Sequence, residues 1–240
     1  MGASVAALIT AAGSSSRMGG VKKEYCVLDS SCTDSEGNPL TVLGAAVLAF
    51  ASCSEIGPIV ITVPPEGEDA ARASLPRSLA AQNRVSFTPG GRTRRESVHK
   101  ALSFLETLEI GYVLIHDGAR PWVSVTLIRQ IISVAAQRRA VIPLVRVIET
   151  PKEVDRFPGP GETGTIRRHL RRPEVGAAQT PQGFAFPDIL RAHEKAALRE
   201  KAEGFEYTDD AEVWADFIGP VAVIPGEPEN RKITFKEDLL

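Results

Sequence analysis

The chain has 240 residues, 43% of them apolar and 24% charged, with a formal net charge of −2. That length suits one large α/β domain or two small ones. The near-neutral balance excludes the broad basic field of a general nucleic-acid binder, and no apolar run reaches membrane-span length, so neither nucleic acid nor membrane is an expected partner.

In chain order, residues 4–10 form a continuous apolar run, the mark of a strand buried on both faces. The chain then turns into small residues, Ala11, Ala12, Gly13, Ser14, Ser15 and Ser16, followed by Arg17 and by Lys22 and Lys23. A buried strand feeding a small-residue loop flanked by cations presents backbone N–H groups to phosphates. The loop has neither the closing Gly-Lys-Ser/Thr of a Walker loop nor the glycine spacing of a dinucleotide fingerprint. Alone, it is equally consistent with an ordinary turn carrying solvated lysines.

Residues 25–28 read as a short strand and 29–39 as a polar surface hairpin loop. Residues 40–51 carry helical spacing, with Leu43, Val47 and Phe50 on one side. A second strand covers 58–63, and 68–79 a short helix broken by Pro76. A third strand, 85–88, ends in Pro89-Gly90-Gly91. Residues 93–108 are helical with Val98, Leu102 and Leu105 inward, and a fourth strand, 112–115, stops at His116-Asp117-Gly118-Ala119-Arg120-Pro121. A helix over 125–139, with Leu127, Ile131, Val134 and Ala135 inward, precedes a fifth strand at 140–147.

Residues 149–173 lose all periodicity and are rich in proline and glycine, too long for a plain connector; they read as an arm, a lid or an oligomer contact. Strand character resumes at 175–179. Helices follow at 187–203 and 209–218, the second with Thr208 as its expected N-cap. Short strand-like segments at 221–225 and 232–235 close the chain. Alternating strands and helices predict one α/β domain over residues 1–240, with a mostly parallel sheet covered on both faces. Ligands in such sheets bind at the carboxyl ends of the strands, which places residues 11–23, 90–97 and 116–120 on one rim.

On that rim, Asp117 directly follows a buried strand and is placed to hold a divalent metal with phosphates completing the shell; capping a turn or pairing with Arg120 is its structural alternative. Gly90 and Gly91 allow close backbone approach to a ligand. Arg92, Arg94 and Arg95 stand at a helix start, where they oppose the helix dipole and ask for an anion. His116 reads as structural rather than as a base. Arg167, Arg168, Arg171 and Arg172 in the arm suit either a solvated face or a phosphorylated substrate. Cation, carboxylate and backbone donors together suit transfer at phosphorus. The cysteines, Cys26, Cys32 and Cys53, form no Cys-x-x-Cys pair and, with four scattered histidines, no zinc-like cluster. Free thiols, and a strand that begins too early to leave room for a signal peptide, predict a cytoplasmic protein.

These motifs, taken in order, resemble the 2-C-methyl-D-erythritol 4-phosphate cytidylyltransferase family. The resemblance rests on Ala11-Ala12-Gly13 through Arg17-Met18, Lys23 before Tyr25, Gly90-Gly91 with Arg94 and Ser97-Val98, and the run from His116 to Pro121. Thr180-Pro181-Gln182 with Phe184, Thr208-Asp209 and the run Asn230 to Thr234 complete it. The resemblance implies a Rossmann-like fold whose β-arm crosses to a second subunit in a homodimer. It implies transfer of CMP from CTP to a polyol phosphate with Mg2+ as cofactor. By position, Arg17 and Lys23 would stabilise charge on the α- and β-phosphates, and Asp117 would hold the metal. Ala11, Ala12, Gly13, Ser14, Gly90, Gly91, Ser97, Asp117 and Gly118 would bind CTP. Arg120, Thr150, Thr180 and Thr208 would bind the acceptor, with Arg172 and Lys232 orienting its attacking oxygen. Lys22 in the place of Lys23 is the alternative register of the loop. Ribitol-5-phosphate cytidylyltransferase activity and a non-catalytic nucleotide-binding module are the alternative functions.

Overall fold

The computed structural model describes residues 4–14 and 21–239. Arg17, Ser15 and Ser16 therefore lie outside the described residues. Strand β1 (Val5–Thr10) is the centre of the sheet, with its first five residues buried. It pairs in parallel with β2 (Ile56–Val63) on one side and β4 (Tyr112–Asp117) on the other. β3 (Val85–Pro89) extends the first side in parallel. Beyond β4 come β9 (Gln182–Ala185), β5 (Ala140–Arg146) and β10 (Ala222–Pro225), and β8 (Gly176–Ala178) also pairs with β5. β9 and β8 are antiparallel to their neighbours and the other pairs are parallel, so the expected mostly parallel sheet is what forms.

Helices cover both faces. One core layer joins β1, β2 and β4 to α1 (Val42–Ala51), the short helices α2 (Glu68–Ala73) and α3 (Arg77–Ala80), and α5 (Val125–Arg138). The other sets α4 (Arg94–Leu105), α6 (Asp188–Glu203) and α7 (Asp210–Phe217) against the opposite face, around Val98, Leu102, Phe184 and Trp214. Two separate helices around Pro76 are the expected consequence of a proline that fixes φ and lacks an N–H. On α5, Ile128 shares the buried face with Leu127, Ile131 and Ala135, while Val134 is only partly buried.

The irregular segment holds a two-stranded antiparallel hairpin, β6 (Lys152–Val154) with β7 (Ile166–His169). Its pairing comes from the backbone, and its side chains are largely exposed, which is why no buried-face periodicity marks it in the sequence.

Four expectations are corrected. Residues 25–28 form no strand: Lys23–Tyr25 is a 3₁₀ turn, and Val27 makes a single bridge to Thr41. Residues 232–235 form no strand either and lead into a 3₁₀ turn, Lys236–Leu239. The N-cap of α7 is Asp209, whose carboxylate accepts from the Ala211 N–H at 2.7 Å, while Thr208 is exposed one residue earlier. Strand β9 has no counterpart in the sequence reading. Its Gly183 lowers strand propensity, yet a Cβ there would come within 2.6 Å of Ile131 on α5. Close packing of a helix on the sheet, which propensity does not register, selects that glycine.

Candidate active site

The chain runs from β1 outward through β2 to β3, then returns to β4 on the other side of β1. The switch point between β1 and β4 opens a crevice at the carboxyl ends of the strands. A cavity of about 660 Å³ lies there, lined by Ala12, Gly13, Ser14, Lys23, Gly91, Arg92, Arg94, Ser97, Asp117 and Lys232 among others. The three expected rim segments thus meet in one place.

The first wall is the loop after β1. Ala11 is buried and its N–H donates to Thr62 on β2. A Cβ at Gly90 would overlap the Ala12 side chain, so the two loops approach too closely for any larger residue. At Gly91 a Cβ would run into Glu96. The Ser97 hydroxyl accepts from the Gly91 N–H at 3.0 Å and donates to the Thr93 carbonyl at 2.9 Å. Ser97 therefore borders the cavity while shaping the glycine loop. Thr93 caps α4 through the Glu96 N–H.

Two lysines differ in their setting. The Lys22 ammonium donates to the Gly13 carbonyl at 2.5 Å and pairs with Glu24 at 3.2 Å, bracing the loop. The Lys23 ammonium lines the cavity and donates to the Ile233 carbonyl at 2.8 Å.

Asp117 is the hub. Its Oδ1 lies 3.3 Å from Arg94 Nε, and its Oδ2 lies 2.8 Å from Lys232 Nζ and 3.8 Å from Arg120 Nε. Burial alone would raise the carboxyl pKa; Arg94, Lys232 and Arg120 outweigh it and hold the group ionised, well below the ordinary carboxylate range. Arg94 reaches past Asp117 to Asp210 at 2.8 Å, a buried residue that lies 3.3 Å from His193. Burial works against the Arg94 charge, but Asp210 and Asp117 raise its pKa further. The anions that the helix-start arginines require are thus partly the protein's own: Asp117 and Asp210 for Arg94, Glu200 at 2.5 Å for Arg95. The signal for Asp210 in the sequence was an acidic pair, Asp209-Asp210, indistinguishable there from a helix cap.

The turn after β4 is built from neutral hydrogen bonds. The Thr180 hydroxyl accepts from the Asp117 N–H at 3.0 Å and so donates to His116 Nδ1 at 3.0 Å. His116 Nε2 then carries the hydrogen and donates to the Arg120 carbonyl at 3.1 Å. His116 is fully buried, and burial pushes its pKa down to about 4. Because the unfolded histidine titrates near 6.5, the unfolded chain binds more protons between these values, and stability falls as pH drops from about 6.5 to 4. The loss expected from this group is about 3 kcal/mol. Denaturant unfolding of His116→Gln across that range should show a flatter pH dependence than the parent protein; an unchanged slope would refute the assignment.

Gly118 donates its N–H to the Thr10 carbonyl at 2.9 Å, closing the rim between β1 and β4. The C-terminal tail is fastened beneath this turn. Buried Asn230 donates to the Thr180 carbonyl at 2.7 Å, and its own carbonyl accepts from Arg120 at 2.8 Å. Ile233 N–H donates to the Ala119 carbonyl, and Arg231 stacks 4.3 Å from the Trp122 ring centroid. That fastening sets Lys232 against Asp117 and Ile233 against Lys23. Thr180 is buried with its hydroxyl committed to this turn, whereas Thr150, Thr208 and Arg172 are exposed and do not line the cavity. Arg172 donates to the Ile148 carbonyl at 2.9 Å at the base of the arm.

A doubly wound sheet with a glycine-lined crevice, cations and an ionised carboxylate at its switch point is an α/β architecture whose crevice suits an anionic ligand. The chain belongs to the 2-C-methyl-D-erythritol 4-phosphate cytidylyltransferase family, IspD, whose model matches residues 5–240. It is 37% identical over 240 residues to the bifunctional enzyme IspD/IspF of Solidesulfovibrio magneticus, covering 97% of this chain and 54% of that protein. It is 34% identical over 237 residues to the 2-C-methyl-D-erythritol 4-phosphate cytidylyltransferase of Pelotomaculum thermopropionicum, covering 98% and 91%. The chain thus spans about half the length of the bifunctional relatives it matches and nearly all of the single-function one. Among solved structures, the 4-diphosphocytidyl-2C-methyl-D-erythritol synthase of Anaerococcus prevotii superposes with a TM-score of 0.78 at 27% identity, covering 98% of this chain and 92% of that one. No helix among the described residues is long and apolar enough to cross a membrane.

Proposed function

We propose that this chain transfers CMP from CTP to 2-C-methyl-D-erythritol 4-phosphate, releasing pyrophosphate. The observation that carries the reading is the convergence of Lys23, Arg94 and Lys232 with ionised Asp117 around one glycine-lined cavity. A phosphate oxygen of the acceptor attacks the α-phosphorus of CTP, and the bond from that phosphorus to the pyrophosphate oxygen breaks. The attacking phosphate is already anionic near neutral pH, so no side chain has to remove a proton. Neutral, buried His116 is unsuited to that task in any case. Positioning and charge stabilisation carry the catalysis. Lys23, with Arg17 outside the described residues, stabilises charge growing on the α- and β-phosphates. Arg92 lines the same wall and adds positive field. Lys232 orients the attacking oxygen, and Arg120 holds the acceptor phosphate.

Mg2+ fits as a cofactor that arrives with the triphosphate. Among the described residues no group of three or more histidine, cysteine or acidic side chains could hold a metal. Asp117 can offer one or two oxygens, phosphate oxygens supplying the rest. When bound, the ion would neutralise charge on the phosphates.

The direct test is pyrophosphate release from CTP, Mg2+ and methylerythritol phosphate, compared with ribitol 5-phosphate. Much faster turnover with the first acceptor is expected. Equal or reversed rates would overturn the acceptor, and no turnover with either would favour a nucleotide-binding module.

The same reading includes a homodimer joined through the arm. Thr150 and Arg172 are exposed on the arm and do not line the cavity, and Ile148, Phe157 and Ile166, in or next to the same segment, expose apolar surface. A second copy would bury those side chains and receive Thr150 and Arg172 at its acceptor end. Light scattering should give twice the chain mass, and Phe157→Asp with Ile166→Asp should yield a monomer of much reduced turnover. A fully active monomeric parent would refute this arrangement. A cytoplasmic location completes the proposal and rests on three free cysteines.

A further inference from the structure

The cavity holds one feature that a triphosphate site does not need. Among its lining residues, Glu206 is an exposed carboxylate without a hydrogen-bond or ion-pair partner among the described residues. The other two acids are engaged: Asp117 with Arg94, Lys232 and Arg120, and Glu24 with Lys22. A free negative charge facing a phosphate-binding cavity repels the ligand's phosphates. What a carboxylate can accept there is the hydrogen of a neutral donor, and a polyol supplies several.

The position of Glu206 is built. It lies on the loop between α6 and α7, and that loop is fixed to α4, the helix that begins at the cavity. On one side, Arg95 of α4 pairs with Glu200, and the second oxygen of Glu200 accepts from the Tyr207 N–H at 2.9 Å. The Tyr207 side chain is buried, with its hydroxyl donating to Asp216 at 2.6 Å. On the other side, Asp209 accepts from Gln182 at 3.1 Å, and Asp210 pairs with Arg94. Adjacent arginines at one helix start thus secure both flanks of a short loop, with Glu206 between them.

We infer that Glu206 is a specificity-determining residue that accepts hydrogen bonds from the hydroxyl groups of the acceptor alcohol, in the cavity it shares with the phosphate-binding cations. The inference rests on the proposed cytidylyl transfer to a polyol phosphate. Commitment to the acceptor rather than the ribose of CTP follows from the ties of the loop: Asp210 pairs with Arg94, which holds Asp117 beside Lys232 and Arg120, the two residues that the proposed function gives to the acceptor.

The test is steady-state kinetics of Glu206→Gln, varying CTP and methylerythritol phosphate separately in the presence of Mg2+. Because the side chain is exposed, the variant should melt at the parent temperature. Loss of a charged hydrogen-bond acceptor should lower kcat/KM for the acceptor by about tenfold or more, with the KM for CTP changed less than about twofold. With an acceptor phosphate lacking the hydroxyls, such as ethyl phosphate, parent and variant should become equal. A rise in the CTP KM alone would move the contact to the ribose and overturn the inference. A fall in the CTP KM with the acceptor unaffected would mark Glu206 as a passive repulsive charge, and unchanged constants would mark it idle; both overturn it. If the parent protein itself fails to turn over, the proposed function falls first, and this inference falls with it.

Discussion

Lys23→Ala is expected to lower kcat by about two orders of magnitude or more, as loss of a preorganised donor to developing charge does. The ammonium of Lys23 lines the cavity and donates to the Ile233 carbonyl, which fixes its place. A cation so placed adds little to ground-state binding that the other cations cannot replace. In the proposed transfer its advantage would come as negative charge moves toward the departing pyrophosphate. The loss should therefore appear in kcat more than in the KM for CTP. Lys22→Ala is the informative companion. Lys22 is already engaged by the Gly13 carbonyl and by Glu24, so its removal should loosen the loop and raise the KM for CTP about tenfold at most. Rates from single-turnover experiments on both variants would decide; a severe Lys22→Ala with a mild Lys23→Ala would reverse the roles of the two lysines.

Much of the framework was legible because it depends on burial. Residues 5–9 alternate between the two core layers on either side of the sheet and therefore show as an uninterrupted apolar run. The rim followed from topology, since loops at the carboxyl ends of parallel strands share one edge. What escaped depends on contacts across long separations. Gly183 is selected by the close approach of α5, and nothing in its neighbourhood announces a strand. Thr180, Asn230 and His116 look like scattered polar residues until the β4 turn, the start of β9 and the tail are brought together. The partner of Arg94 across the site, Asp210, lies 116 positions away, and the packing of α6 against both α4 and α7 brings them together. Side chains on the arm show no pattern because they face no core within this chain.

Arg94→Ala should be the most damaging single change to the fold of the site. Arg94 stands between two carboxylates, Asp117 and Asp210, that are each almost wholly buried. Lys232 and Arg120 would still face Asp117, but among the described residues Asp210 would keep only His193, at 3.3 Å. Removing one partner from a buried ion pair leaves an uncompensated charge and costs more than the pair itself contributes. With 26% of the Arg94 side chain exposed, the lower end of the usual range applies, about 3 kcal/mol. For a chain of this size that corresponds to a fall in melting temperature of roughly 6–12 °C. Arg94→Lys keeps one charge but cannot span both acids, so it should recover only part of the loss. The decisive comparison is Arg94→Met combined with Asp210→Asn. Deleting the buried charge together with its cation should restore a good part of the melting temperature, because the penalty lies in the orphaned carboxylate. Turnover should stay low in the double variant, since Asp117 still lacks the guanidinium that holds its Oδ1. If the double variant melts no higher than Arg94→Met alone, the Arg94–Asp210 pair is not what secures α7 to the site.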